Sequence, residues 1–252
     1  MRWILYVFPR VFLLKIGQII RPILRIIYRG SNYIDPIDSS SYRTFLVYGY
    51  GKNFRKNALC PGTLSLERHR LLWLYLRDGT NLLKRKLKVL HFAPAQPLLR
   101  QFKRLNNWDY ITTDLESPLV DIKANIYDLP FKDESFDLVI CNHVLEHIQD
   151  DYRAIKELFR ILKFKGELIA MVPLSLARTK TYENSEIKSK KLRKIHFGQY
   201  DHVRIYGLDY KNRLERVGFE VELIPYGKNL SKKEQEIFRI NRNELIPVAK
   251  KH

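Results

Sequence analysis

The chain has 252 residues, 45% of them hydrophobic, enough to bury a sizeable core, which excludes wholesale disorder. Two cysteines, Cys60 and Cys141, exclude a disulfide framework and a four-cysteine zinc site and suit a reducing, cytoplasmic compartment. A formal net charge of +18 points to an anionic partner: a lipid surface, a nucleic acid or a phosphorylated substrate.

Residues 1–30 hold six Arg/Lys and no acid. Their apolar runs are shorter than the roughly 18 residues of a membrane span, and Arg10 and Lys15 interrupt a signal-peptide core. Helical spacing puts Lys15, Gln18, Arg21, Arg25 and Arg29 on one stripe, with Leu, Ile and Phe around the rest. Pro9 and Pro22 break the helix into short pieces. Such a segment is expected to lie on an anionic inner leaflet; packing on its own domain is the alternative.

Residues 31–63 are turn-rich and read as a small irregular lobe. From Leu64 to Leu83 the pattern is helical, with Gly79 near its end. Alternating units follow: strand Lys88–Phe92, helix Pro97–Leu105, strands Asp109–Thr113 and Asp121–Asn125, strand Phe136–Asn142, helix Asp151–Leu162, strand Gly166–Val172. This alternation predicts an α/β fold with a parallel sheet. A basic insertion, Leu174 to Gly207, precedes a helix over Leu208–Val217 and strands near Phe219–Ile224 and Glu244–Val248.

Ligands of open α/β sheets bind beyond the carboxyl ends of the strands, near the point where strand order reverses. The stretch "KVLHFAPAQPLL", Lys88–Leu99, reads as strand, tight turn and helix start, which offers backbone N–H groups to a ligand. Asp114 ends the next strand 21 residues after Ala93, near the offset of an acid that binds ribose hydroxyls.

The block "NIYDLPFKDESFDLVICNHVLEHI", Asn125–Ile148, strongly resembles the class I S-adenosylmethionine-dependent methyltransferases. The matching elements are Leu129–Phe131, Phe136–Asp137, the apolar strand Leu138–Cys141 and Leu145–His147. The resemblance covers roughly Lys88 to Phe219. It implies a Rossmann-like three-layer sandwich on a mostly parallel seven-stranded sheet with an antiparallel last strand. It also implies S-adenosyl-L-methionine as cofactor. Ala93, Ala95 and Pro97 stand where the family has three glycines, and His91 where it has an acid. Alanine serves if φ stays negative, and Pro97 suits a first helical position. His91, Phe92, Ala93, Pro94 and Ala95 then line the cofactor's methionine portion. Asp114 takes the ribose, and Asn125 replaces the adenine-contacting Asp, its carbonyl accepting from the adenine amino group. Leu115 and Ile126 flank the adenine ring, and Asn142 and His143 face the cofactor.

The region around "YIDPID" and "NALCPGTLSLERHR" resembles a zinc-ribbon-like extension found in a bacterial branch of these enzymes. Asp35 and Asp38 stand at its first CPxC pair, Cys60 and Thr63 at its second. With one thiolate of four, the lobe is expected to hold no metal. Arg68, His69 and Arg70 either brace the following helix or touch substrate. The domain reading is therefore a basic helix over 1–30, the degenerate lobe over 31–63, and the methyltransferase domain over 64–252 with its insertion at 174–207.

Methyl transfer needs alignment of the nucleophile, and a hydroxyl acceptor benefits from a base. "HFGQYDHVRIYG", His196–Gly207, lies where family members build substrate lids. His202 is the expected base, with Asp201 or Tyr200 as alternatives. Arg204 pairs with an acceptor phosphate or carboxylate, and Tyr206 and His196 complete the substrate site. The expected acceptor is a small or glycan-linked molecule, and the family resemblance with the basic N-terminus suggests cell-surface polysaccharide synthesis as its setting. RNA methylation and a fold that has lost turnover are the alternatives. "YRAIK", Tyr152–Lys156, matches the Tyr-x-x-x-Lys pair of short-chain dehydrogenases, but the glycine-free first turn argues against that chemistry.

Overall fold

The computed structural model describes residues 20–50 and 53–252. Two antiparallel pairs make the first lobe: β1 (Arg29–Asp35) with β2 (Ser40–Tyr42), and β3 (Leu46–Tyr50) with β4 (Asn53–Leu59). Tyr42, Phe45 and Cys60 form its small core. Asp35 is fully buried and each of its oxygens is used. Oδ1 accepts from the Ile37 amide at 2.9 Å; Oδ2 accepts from the hydroxyls of Thr63 and, at 2.6 Å, Ser65. Two positions assigned to the zinc-ribbon pattern thus meet in a hydrogen-bonded knot. Burial pushes the Cys60 thiol up to about 12, with Asp35 adding to the effect.

Helix α1 (Glu67–Leu74) follows, continuing as a wider turn through Gly79. Arg70 is a brace: its buried guanidinium donates to the carbonyls of Ala58, Ser65, Phe238 and Arg239. Of the expected N-terminal helix, residues 1–19 lie outside the described residues, while residues 20–27 are helical. The basic stripe ends early, because Arg29 already begins β1. Arg21 donates to the Gly62 carbonyl and Arg25 to the Ser40 hydroxyl, while Ile20, Ile23, Ile26 and Ile27 are exposed. No described helix is long and apolar enough to cross a membrane.

The main sheet centres on β5 (Leu87–Phe92), which runs into helix α2 (Gln96–Phe102). Strands β6 (Trp108–Asp114), β7 (Ile122–Lys123) and β8 (Phe136–Cys141) precede helix α3 (Asp151–Ile161) and strand β9 (Leu162–Ile169). The insertion contributes β10 (Tyr182–Glu183), α4 (Lys190–Phe197) and β11 (Arg204–Ile205). The chain then forms α5 (Tyr210–Glu215), β12 (Phe219–Ile224), α6 (Tyr226–Asn229), α7 (Lys232–Ile237) and β13 (Ile246–Lys251). Seven strands run in the order β12-β13-β9-β8-β5-β6-β7, parallel except β13, which is antiparallel to both neighbours. This is the Rossmann-like sheet the sequence implied. Strand order reverses at β5, which is flanked by β6 and β8.

The sequence makes these elements for local reasons. Asp150 caps α3 by accepting from the Arg153 amide. Ala154, Ile155, Leu158 and Ile161 then fall at helical spacing on one buried face. Ile155 and Leu158, wholly buried, each contribute about 1.5–3 kcal/mol. After Asp137, the run Leu138–Cys141 is apolar on both faces, as a central parallel strand requires. Two compact units result. One takes in the chain up to Leu83 with Ala95–Arg104 and Gly227–Arg242; the other is Lys84–Pro94, Leu105–Tyr226 and Asn243–His252.

His91 belongs to the core of the second unit. It is 2% exposed, and Nδ1 lies 2.7 Å from the Tyr110 hydroxyl. Its side chain therefore packs in the core, whereas the sequence expectation put it beside the cofactor. Burial lowers its pKa to about 3. The unfolded chain then binds the proton more readily, so stability is complete above about pH 6.5 and falls as pH drops toward 3. His91→Gln keeps a hydrogen-bonding group without the charge. Urea titrations between pH 6.5 and 5 should show the wild type losing about 1.4 kcal/mol per pH unit more than the variant.

Candidate functional site

The turn after β5 departs from the expected geometry at one residue. Ala93 has φ +42°, in the left-handed region, so alanine does not escape the conformation that glycine normally supplies. The amide of Ala93 donates to the Thr113 carbonyl at 2.8 Å, which holds the turn against the end of β6. Ala95 has φ −66° and precedes α2, where Pro97 occupies the first turn. Phe92 is buried in the core, leaving only its backbone for a ligand, while Pro94 is half-buried.

At the end of β6, the half-buried Asp114 turns Oδ1 back on its own loop, accepting from the amides of Glu116 and Ser117 at 2.8 Å. Oδ2 has no partner among the described residues. Leu115 beside it is 63% exposed, a large apolar side chain that a ligand would cover. Ile126 is not its counterpart, because it is buried in the main core. Asn125 is exposed, and its Oδ1 already accepts from the Tyr127 amide at 3.0 Å. One lone pair of Oδ1 is thus used within the loop, and the second remains for a donor such as the expected adenine amino group.

Past β8, the Asn142 side-chain Oδ1 accepts from the Met171 amide at 2.8 Å, and the His143 amide donates to the Met171 carbonyl at 2.7 Å. His143 also adopts a positive φ of 57°. A single helical turn, Leu145–His147, comes next. His143 Nδ1 lies 3.2 Å from Glu146 Oε1, and His147 Nδ1 lies 3.5 Å from Asp201 Oδ2. The rings of His147 and His202 meet edge to face, with centroids 4.8 Å apart. The structure thus brings the two expected proton acceptors, Asp201 and His202, onto Glu146 and His147. Burial lowers the pKa of His202, outweighing the pull of Glu146, so its imidazole is held neutral. Burial would raise Glu146, yet the bond from His143 and the nearby His143 and His147 rings hold it below the usual carboxylate range.

Glu146 and His147 were legible only as part of a family signature. Their i, i+3, i+4 spacing from His143 is the signal that could have marked them. Three other expected substrate residues have different roles. Arg204 is 4% exposed; its guanidinium pairs with Glu183 at 2.7 Å and donates to the carbonyls of Leu145, Ile148 and Gln149. Tyr206 is wholly buried and donates to Asp151 at 2.8 Å. Both serve as struts in the structure, with their polar groups bonded internally. His196 is exposed, with Nδ1 2.8 Å from the Tyr182 hydroxyl, and Tyr200 is exposed, with the Lys190 ammonium over its ring. Tyr152 serves as a surface neighbour: its ring carries the Arg213 guanidinium, and its hydroxyl accepts from Arg216.

Residues 80–170 match the family described as a methyltransferase domain. Residues 80–170 therefore carry a methyltransferase domain. Over 155 residues it is 23% identical to the ubiquinone/menaquinone biosynthesis C-methyltransferase UbiE of Proteus mirabilis, covering 54% of this chain and 61% of that protein. Over 51 residues it is 57% identical to the uncharacterised protein MJ0638 of Methanocaldococcus jannaschii, covering 20% of this chain and 22% of that one. The chain therefore spans about a fifth to three-fifths of the length of these curated relatives. An S-adenosylmethionine-dependent methyltransferase from Mesorhizobium loti aligns with 72% of this chain and 98% of its own, at 15% identity and a TM-score of 0.49.

The resemblance of the signature block implies S-adenosyl-L-methionine as the cofactor, and the residues present fit it. Asp114 Oδ2 is a free carboxylate oxygen suited to a ribose diol, and Leu115 is an uncovered apolar side chain beside it.

The strut and the strained turn each predict a stability change. Arg204→Ala strands buried carbonyls and the Asp151 and Glu183 carboxylates, so chemical denaturation should read a loss of about 3–5 kcal/mol. Ala93→Val adds a branched side chain at a positive φ and should cost about 1–2 kcal/mol in the same assay, while Ala93→Gly stays within about 1 kcal/mol of the wild type.

Proposed function

We propose that the protein is an S-adenosylmethionine-dependent O-methyltransferase acting on a small-molecule or glycan-linked acceptor. One observation carries the oxygen acceptor: Asp201 and His202 are folded onto Glu146 and His147 just beyond the carboxyl end of β8. That strand and β6, which ends at Asp114, flank β5, so the proton-accepting cluster stands at the same edge as the predicted ribose ligand. When bound, S-adenosylmethionine supplies a methyl group already activated on a sulfonium. The chain's own residues then have to hold the acceptor, exclude water and take one proton from its hydroxyl. A cluster in which Glu146 stays ionised and His202 stays neutral is suited to that task.

Asp114 should bind the cofactor through hydrogen bonds to an ionised group, worth about 1.5–3 kcal/mol each. Calorimetric titration with S-adenosylhomocysteine should give micromolar binding, weakened at least about tenfold in Asp114→Ala. Absence of binding to the wild type would reduce the chain to a methyltransferase fold without turnover. Transfer of a labelled methyl group to RNA but not to hydroxylated small molecules or glycans would overturn the acceptor class.

The same reading places the chain at an anionic membrane surface. It is supported by the charge of +18 and by the exposed Ile20, Ile23, Ile26 and Ile27. Sedimentation with phosphatidylserine-containing vesicles should fall sharply in the Ile23→Glu, Ile27→Glu double variant. Equal sedimentation of the two proteins would refute membrane contact through this helix.

A further inference from the structure

We infer that Glu146, His147 and His202 form a site for one divalent first-row transition-metal ion, and that this ion receives the acceptor's hydroxyl. The inference deepens the O-methyltransferase reading and rests on it for the second part only. One ligand atom from each of the three residues lies within 4.8 Å of the other two. Among the described residues no other group of three ligating side chains converges in this way.

The decisive atom is Glu146 Oε2. The residue is 2% exposed and Oε1 faces His143, yet Oε2 is buried with no hydrogen-bond partner. A carboxylate oxygen withdrawn from water and left unmatched is costly, and a native fold keeps one for a reason. A cation between Oε2 and the two imidazoles would supply the missing partner. Metal–nitrogen and metal–oxygen bonds of about 2.0–2.2 Å require ligand atoms about 3–3.5 Å apart. The cluster therefore has to close by roughly an ångström, which side-chain rotation provides.

The surroundings are those of a built site. The Val203 amide donates to the Glu146 carbonyl at 2.9 Å, and Arg204 holds the carbonyls on either side of the turn, so His202 is fixed against Glu146 and His147. Asp201 Oδ2 faces one ring nitrogen of His147, a carboxylate that orients a ligating imidazole and leaves its other nitrogen for the ion. Two imidazoles and one carboxylate favour Mn²⁺, Fe²⁺, Co²⁺ or Zn²⁺ over the all-oxygen partners of Mg²⁺ and Ca²⁺. Three protein ligands also leave a coordination position open, as catalytic metal sites do.

With the acceptor hydroxyl in that position, its acidity rises, and His202 serves as a ligand rather than as the base. The balance is simple. The acceptor oxygen forms a bond to the methyl carbon as the carbon–sulfur bond breaks. The sulfonium becomes a neutral thioether, and the hydroxyl proton passes to solvent water.

The test uses the full chain, stripped with chelator and titrated with Co²⁺ while its visible d–d absorption is followed. About one Co²⁺ per chain should bind, with intense bands of low-coordinate geometry. Glu146→Gln and His202→Ala should each weaken binding at least about tenfold. Circular dichroism and S-adenosylhomocysteine calorimetry on the same variants report whether the fold and the cofactor site survive. Absence of a Co²⁺ spectrum in the wild type, or a spectrum unchanged in both folded variants, would overturn the metal site. Co²⁺ binding without S-adenosylhomocysteine binding would keep the site and defeat the methyltransferase reading instead.

Discussion

The guanidinium of Arg204 is the constraint on which the catalytic edge of this protein depends. It sits in the interior with its charge matched by Glu183 and Asp151, and its N–H groups meet the carbonyls that end the Leu145–His147 turn. An arginine can do this where a lysine cannot, because its planar fork satisfies several acceptors in fixed directions. Arg213 and Tyr206 complete the arrangement by sharing Asp151. Two segments more than fifty residues apart in sequence, the turn after β8 and the loop before β11, are thereby fixed to one another. Asp201 and His202 owe their positions to this junction.

A similar logic governs the first lobe, with different chemistry. Positions that resemble a metal-binding ribbon hold Asp35 and Thr63, and these meet directly, with Ser65 supplying a further hydroxyl to the same carboxylate. A buried carboxylate that accepts three hydrogen bonds is well satisfied. The contrast with Glu146 is instructive. Both carboxylates are withdrawn from water, but Asp35 has every oxygen matched, whereas Glu146 keeps one oxygen open toward two imidazoles.

The glycine-free turn shows how strain is tolerated at a ligand-binding edge. Ala93 occupies a left-handed conformation at a cost of about 1–2 kcal/mol, offset by the bond from its amide to Thr113 and by the burial of β5 behind it. His143, also at positive φ, is held by two hydrogen bonds between its segment and Met171. Both strained residues lie at the carboxyl ends of adjacent parallel strands, where the sheet over-determines the backbone.

The sequence by itself determined the α/β class, the parallel sheet and the methyltransferase signature. Those features are written in local pattern: apolar runs such as Leu138–Cys141, the helical spacing of Ala154, Ile155, Leu158 and Ile161, and the block from Leu129 to His147. It also marked Asp114, His202 and Asp201, because strand-end acids and a dense polar insertion are visible without coordinates. Only the tertiary structure decided which polar residues are buried and paired and which stay open to solvent. His91, Arg204 and Tyr206 look chemical in sequence and are structural in space. Glu146 looks like part of a motif and proves to be a buried carboxylate with an open oxygen. The reason is physical: burial and pairing are set by contacts between segments far apart in the chain, and no local pattern carries them.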